Sequence, residues 1–331
     1  MVGGPTSTAR PPPTYHRRVA PLLLLNADDV RDLIDLPALF GSLEHALREL
    51  SRGTTSVPPR IAARAPGGIL AAMPGYVPGT ALESKLVAVF PGNHDRGLSS
   101  HQALIALFDE ETGVPVCVMD GTVVTAVRTG ATSAVAARAV ARPDVRTLAI
   151  LGAGVQGRSH LKAFTTLFDP SEIRIASRNP GHAKKLVELD RRATATTAFE
   201  DAVRGADVVC CCTDADEPVI DRAWLSRGVH VSSVGVGGEV DAATVRDASV
   251  FVEWRGAAEN PPPTGSAELQ GLDPSKLVEI GQVLAGDHPG RRTDDELTLY
   301  KSTGHAVEDA AAARQVFDRA VAEGRGQTFE L

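Results

Sequence analysis

Six residues between a short apolar strand and a helical stretch carry the most specific chemistry: Gly152-Ala153-Gly154-Val155-Gln156-Gly157. A G-x-G-x-x-G spacing that follows a buried strand and opens a helix predicts a dinucleotide site. Gly152 permits the tight turn, Gly154 lets a pyrophosphate reach the backbone, and Gly157 lets the helix pack close to the strand. The helix N–H groups and macrodipole then face the phosphates, with Val155 and Gln156 in the first turn. Where the second strand ends, Ser177-Arg178-Asn179 stands in place of the acidic residue usual for NAD. Arg178 can fork onto a 2′-phosphate, worth about 1.5–3 kcal/mol, which favours NADP(H) over NAD(H). Thr213, at the end of the next strand and at the same carboxyl edge, is a further cofactor-contact candidate.

The elements that must position these residues alternate. Strands are predicted over 147–151, 172–176, 206–212, 229–234 and 249–252, with helices from 155 to about 168 and over 183–192. That alternation implies an α/β fold with a parallel, doubly wound sheet. Helices are expected after Thr293. The chain before Val145 reads differently. Asn26 caps a helix starting near Ala27, with Asp28 and Asp29 in its favourable first turn. Leu39, Phe40, Leu43, Ala46, Leu47 and Leu50 at helical spacing predict a helix over 37–52, ended by Gly53. Short apolar stretches at 69–73, 86–90, 103–108 and 114–119 read as an antiparallel sheet, with 109–113 as a hairpin connection. Residues 126–141 read as an alanine-rich helix.

At 331 residues the chain suffices for one large or two ordinary domains, and 43% hydrophobic residues suffice for a full core. A net charge of −7 without a basic cluster argues against a nucleic-acid partner. No apolar run approaches the roughly 18 residues of a membrane span. Residues 1–20, with Pro5, Pro11, Pro12 and Pro13, read as a disordered tail. Arg17, Arg18 and the apolar run at 22–25 fall short of a secretion signal, because the run is too short and lacks a small-residue cleavage site. Of four cysteines, Cys210, Cys211 and Cys212 are consecutive and read, like Cys117, as small apolar residues. This suits a reducing compartment, and a cytoplasmic location is expected. The nine histidines show no ligand spacing beside a Cys or carboxylate cluster, so no metal is expected. Ser/His/Asp catalysis has no G-x-S-x-G context.

Taken in order, Lys85-Leu86-Val87, the run from Gly97 to Ala103, Leu107-Phe108-Asp109, the run from Val118 to Gly121, the run from Thr125 to Thr129, the glycine turn and Lys301-Ser302-Thr303-Gly304 resemble the ornithine cyclodeaminase/mu-crystallin family. The likeness covers about Leu22 to Ala312. It implies an α+β substrate and dimerisation domain over 21–128, completed by 306–331, and a Rossmann domain over 129–305. It implies a homodimer. Arg60, Lys85 and Arg128 match the three basic residues that grip the substrate carboxylate in that family. An Arg fork fixes a planar carboxylate in one orientation, and a buried Lys85 with a lowered pKa is the candidate catalytic proton donor. Ser100, His101 and Gln102 match a stretch near the nicotinamide in mu-crystallin-like members. Thr129, Val234, Lys301 and Ser302 are further implied cofactor contacts.

Two departures separate this chain from the ornithine enzymes. Their water-activating Asp, followed by Pro-Gly-Lys, is replaced by the run from Val234 to Val240, where Glu239 is the only carboxylate, to be read either as entering the pocket or as starting the following helix. Their acidic residue before the Met-Pro pair is replaced by Ala71 and Ala72 ahead of Met73-Pro74. An ornithine ammonium there would be buried unpaired, at a cost of several kcal/mol. Hydride transfer remains: reduction of a small imino acid (a ketimine), or oxidation of the matching amino acid, with proton delivery by Lys85 or a water ordered by His101. The alternatives are an ornithine cyclodeaminase-type ammonia lyase with recycled NAD, a non-catalytic NADPH and small-carboxylate binder, and a dehydrogenase that splits a secondary-amine adduct. His305 is expected on a helix surface, with an extra polar contact in the pocket as the other possibility.

Overall fold

The computed structural model describes residues 21–235 and 237–330, apart from the side chain of His94. The expected tail over 1–20 lies outside the described residues. In chain order the first part comprises β1 (Leu22–Leu25), α1 (Ala27–Leu33), α2 (Leu36–Arg52), β2 (Ile61–Ala65), β3 (Gly68–Val77), β4 (Ala81–Val89), β5 (His101–Phe108), β6 (Pro115–Asp120) and α3 (Gly121–Val140). Then follow β7 (Thr147–Leu151), α4 (Val155–Leu167), β8 (Glu172–Ala176), α5 (Pro180–Val187), β9 (Ala193–Ala195), α6 (Phe199–Val203), β10 (Val208–Cys211), β11 (His230–Ser233), α7 (Ala242–Asp247) and β12 (Ser249–Val252). The chain closes with α8 (Gly256–Glu259), β13 (Val278–Glu279), α9 (Ile280–Ala285), β14 (Thr298–Lys301), α10 (Ala306–Glu323) and β15 (Gln327–Phe329).

Two sheets organise the molecule. One runs β15-β1-β6-β5-β4-β3-β2, antiparallel except for the β1–β6 pair. The other is parallel throughout, in the order β13-β12-β14-β11-β10-β7-β8-β9. This is the expected α/β architecture, and the first strand of the dinucleotide unit, β7, lies between β8 and β10, where the strand order reverses. Asn26 caps α1 through a capping box with Asp29, and Asp35 caps α2, whose apolar stripe is buried. The buried helix α10 packs on α2, α3, β3 and β4, so the end of the chain completes the first sheet's layer.

Several expectations need correction. The run at 22–25 is a strand, held between β6 and β15, although by itself it is too short to signal one. Strand β2 was not legible because all five of its residues are exposed at a sheet edge. Asp120 accepts from Val123 N at 2.7 Å and so starts α3 five residues earlier than the alanine run suggests. The boundary expected between 128 and 129 therefore falls inside one continuous helix. Asn179 likewise caps α5 at Pro180 rather than 183. After Thr293 comes first β14, fully buried between β11 and β12, and only then a helix. The four cysteines are buried, Cys210 and Cys211 within β10.

Candidate active site

The turn from β7 into α4 has the geometry that its glycines predict. Gly152 has φ 100, and its N–H donates to Ala176 O at 2.8 Å. A Cβ at Gly152 would stand 2.4 Å from Cys212 O, and one at Gly157 would stand 2.0 Å from Gly152 O, so neither position admits a side chain. A Cβ at Gly154 would meet nothing within 4 Å. Among the described residues no side chain caps α4, and Val155 is exposed, so none of them closes off the helix N-terminus. Gln156 Oε1 is buried without a partner among the described residues. An anionic diphosphate fits this arrangement. Behind it, the His160 Nδ1–H donates to Gln156 O at 2.8 Å, and Nε2 faces Ser133 Oγ at 3.0 Å, tying α4 to α3. Burial pushes His160 down to about 4, so the imidazole is neutral.

Along the carboxyl edge, Ser177 is half-buried, while Arg178 and Asn179 are exposed. Arg178 Nη2 lies 3.6 Å from Asp214 Oδ1, and Asn179 Oδ1 accepts from Gly181 N at 2.9 Å to cap α5. Thr213 is engaged by the protein itself: its N–H and Oγ1 donate to Glu239 Oε1 at 2.5 and 2.6 Å. Glu239 does not start a helix, since α7 is preceded by Asp241. It is fully buried at the sheet edge and also accepts from Ser233 Oγ (2.9 Å) and Gly235 N (2.7 Å). Lys301 donates to Ser233 Oγ (2.8 Å) and Gly235 O (2.7 Å) and pairs with Glu268. Among the expected cofactor contacts, Thr213 and Lys301 thus brace the loop that begins at half-buried Val234. Ser302 Oγ donates to Glu253 Oε1 at 2.5 Å.

The three expected cations converge. Lys85 points from β4, Arg128 from α3, and Arg60 precedes β2. Lys85 Nζ donates to Asp309 Oδ2 at 2.6 Å, and Arg128 Nε to Asp309 Oδ1 at 2.9 Å, so one carboxylate of α10 binds both. Arg128 Nη1 donates to Glu308 Oε2 at 2.6 Å. Arg60 Nη2 donates to the carbonyls of Thr303 (2.7 Å) and Gly304 (2.6 Å), just past the carboxyl end of β14. A Cβ at Gly304, whose φ is 71, would stand 2.9 Å from Arg128 Nη2 and 3.0 Å from Nη1. The forked edge of Arg128 therefore has room only because residue 304 carries no side chain. Just past Arg128 on α3, Thr129 Oγ1 donates to Thr125 O at 2.8 Å, and a Cβ at Gly130 would stand 2.5 Å from Ser159 Oγ of α4. The helix bearing Arg128 is thus packed on the helix of the glycine turn.

Burial lowers the Lys85 pKa, partly offset by Asp309. Burial opposes the charges of Arg128 and Asp309, but their mutual attraction outweighs it, and both stay ionised. Glu308 is pushed up to about 8 by burial, against the pull of Arg128. Glu83, two residues before Lys85 on the same face of β4, is raised well above the carboxylate range by burial and by Asp309. His305 is not on the surface: it is 5% exposed at the start of α10, its ring 5.3 Å from that of Trp254, and burial with Arg60 nearby pushes it down to about 3. Ser100, His101 and Gln102 are not brought to this cluster. In register, His101 opposes Val89, four residues or about 13 Å along β4 from Lys85. The sequence reading missed Glu83, Glu253, Trp254, Glu308 and Asp309. Two adjacent acids inside the small apolar run of α10 were the available signal, since buried acids need cationic partners.

The family model for the ornithine cyclodeaminase/mu-crystallin family matches residues 22–324. The ketimine reductase mu-crystallin of Mus musculus is 36% identical, over 89% of this chain and 96% of that protein. Thermococcus litoralis Δ1-pyrroline-2-carboxylate reductase, solved in complex with NADH and L-proline, superposes with a TM-score of 0.88 at 33% identity, covering 92% of this chain and 99% of that one. An archaeal alanine dehydrogenase dimer with bound NAD superposes at 0.85 with 30% identity, covering 94% and 99%.

Proposed function

Because this chain belongs to the ornithine cyclodeaminase/mu-crystallin family, we propose that it is an NAD(P)H-dependent oxidoreductase that reduces a small imino acid or oxidises the matching amino acid. Relatives named as ketimine reductase, pyrroline-2-carboxylate reductase and alanine dehydrogenase support this class. One observation carries it: Arg60 and Arg128 meet at Gly304, while Lys85 and Arg128 share Asp309. The forked edge of Arg128 and the guanidinium of Arg60 take the substrate carboxylate and fix the plane of the C=N bond beside it. Lys85 Nζ, oriented by Asp309, gives its proton to the imine nitrogen, and its lowered pKa suits that transfer. The nicotinamide, held with its diphosphate at the open N-terminus of α4, supplies or takes the hydride. Ala71 and Ala72 offer no anion for a distal ammonium, and Glu239 is fully committed to Thr213, Ser233 and Gly235, which disfavours cyclodeamination.

The finer assignments rest on smaller features. Exposed Arg178, with no carboxylate in the 177–179 segment, favours NADP(H) over NAD(H). Ser100, His101, Gln102, Ser302 and the edge residues keep their proposed cofactor roles. The division into 21–128 with 306–331 for substrate and 129–305 for cofactor follows the two sheets, with α3 shared. Ile61, Leu70, Leu86 and Leu104 are exposed on β2 to β5, an apolar face that supports a homodimer, as in the alanine dehydrogenase. Among the described residues no helix is long and apolar enough to cross a membrane. The four buried thiols support a cytoplasmic location. The test is purified protein with NADPH or NADH and Δ1-pyrroline-2-carboxylate, Δ1-piperideine-2-carboxylate or pyruvate plus ammonia. Loss of reduced-nicotinamide absorbance in proportion to amino acid formed is expected. Ammonia release from a diamino acid with no net change in the cofactor would replace the proposal with the lyase reading.

A further inference from the structure

The charge balance around the substrate cations does not close if every carboxylate is ionised. Arg60, Lys85 and Arg128 face four buried acids: Glu83 on β4, Glu253 just after β12, and Glu308 and Asp309 on α10. Both oxygens of Glu83 are buried without a hydrogen-bond partner among the described residues, and burial raises it well above the carboxylate range, so Glu83 is a neutral acid. Three positive charges then face three negative ones, which leaves no positive charge over for a substrate carboxylate. The hydrogen bonds show where a second proton belongs. Glu253 accepts from Ser302 Oγ (2.5 Å), Thr303 N (3.2 Å) and Gly304 N (3.2 Å), the pattern of a carboxylate. Glu308 Oε2 accepts from Arg128, but Glu308 Oε1 is fully buried and among the described residues no N–H or O–H donates to it. The side chains of Glu308 and Glu253 lie within hydrogen-bonding reach of each other. Two ionised carboxylates would repel there, whereas a proton on Glu308 makes it a donor to Glu253 and removes the orphan.

We propose that Glu308 is carried as a neutral acid donating to Glu253, and that this state leaves Arg128 with positive charge to spare for the substrate carboxylate. Glu308 is then a positioning residue that acts through Arg128, and the inference rests on the carboxylate role proposed above. The groups facing it are Arg60 ahead of β2, Arg128 from α3, Glu253 after β12, Tyr300 from β14, and Asp309 on its own helix. When Glu308 ionises it becomes a second full counter-ion to Arg128 and an added negative charge beside the substrate. Its pKa near 8 places that transition just above neutrality.

The test compares wild type with Glu308→Gln, which keeps the shape and the neutral donor. With saturating cofactor and Δ1-pyrroline-2-carboxylate, wild-type KM is expected to be flat up to about pH 8 and to rise by up to about tenfold per unit above it. The variant is expected to keep a wild-type KM at pH 7, within about threefold, and to lose the alkaline rise, while the kcat profile set by Lys85 is unchanged in both. The same rise in the variant, or a KM more than about tenfold higher at pH 7, overturns the inference. A second measurement needs no variant: calorimetric titration of the cofactor-bound wild type with pyrrole-2-carboxylate at pH 8.5, in two buffers of different ionisation enthalpy. Proton uptake on binding is expected, and its absence overturns the inference. Turnover without the KM rise would leave the proposed function standing and remove only this role of Glu308.

Discussion

Replacing Gly304 with Ala tests the site most directly. An L-residue at φ 71 carries about 1–2 kcal/mol of backbone strain. The new methyl would stand 2.9 and 3.0 Å from the two terminal nitrogens of Arg128, inside the roughly 3.5–4.0 Å of a relaxed contact. Arg128 cannot swing aside, because Nε is held by Asp309 at 2.9 Å and Nη1 by Glu308 at 2.6 Å in a side chain only 4% exposed. Either an ion pair breaks or the 303–304 segment shifts, and that segment also anchors Arg60. Losing one charge-assisted contact to the substrate costs about 1.5–3 kcal/mol, so kcat/KM should fall by about 10- to 150-fold, mostly through KM. Cofactor affinity should hold within about twofold, because the glycine turn is untouched. The assay pairs steady-state kinetics at saturating cofactor with calorimetric cofactor binding and a thermal melt. A variant whose imino-acid KM stays within about twofold of wild type, while its melting temperature drops, would refute the placement of the carboxylate at Arg128.

Other consequences follow from the same geometry. Lys85→Met should lower kcat by at least about 100-fold with cofactor affinity unchanged, and a kcat within about tenfold of wild type would remove Lys85 as proton donor. Arg178→Ala should raise the KM for NADPH by about tenfold and leave that for NADH within about twofold; equal changes for both would show that Arg178 does not read the 2′-phosphate. The buried acid at 308 links stability to pH. Its folded pKa near 8 lies above an unfolded value of about 4.3, so its stabilising contribution is full below that lower value and lost as pH rises through about 8. Between about pH 5.5 and 7, well below the folded pKa, wild type should therefore lose on the order of 1 kcal/mol per unit more than Glu308→Gln in urea denaturation, and parallel curves would contradict a raised pKa. None of the four thiols should react with a disulfide reagent in the native protein, since all are buried and burial raises Cys117 to about 12. Rapid labelling of any of them without unfolding would show the cysteine strands to be open.

The parallel sheet was legible because its strands are continuous apolar runs, and three of them, Thr147–Leu151, Glu172–Ala176 and Ser249–Val252, keep their predicted ends. The first sheet's edges were not. An edge strand such as β2 buries nothing, so it leaves no alternation to detect, and β1 gains its identity only from β6 and β15, both far from it along the chain. The basic trio was readable from local motifs, whereas its acidic partners were not, because Asp309 lies 224 residues from Lys85 and 181 from Arg128.

By itself, then, the amino-acid order determined what is local. The glycine turn, the capped helices and the absence of an acid at 177–179 each follow from residue types within a few positions, through backbone sterics and short-range hydrogen bonds. The tertiary structure alone decided what depends on burial and long-range charge. It placed His305 inside rather than outside, gave Glu239 to Thr213 instead of a helix start, and set α10 against β4 and α3. There, in a low-dielectric interior, the ionisation of one acid depends on every charge packed around it.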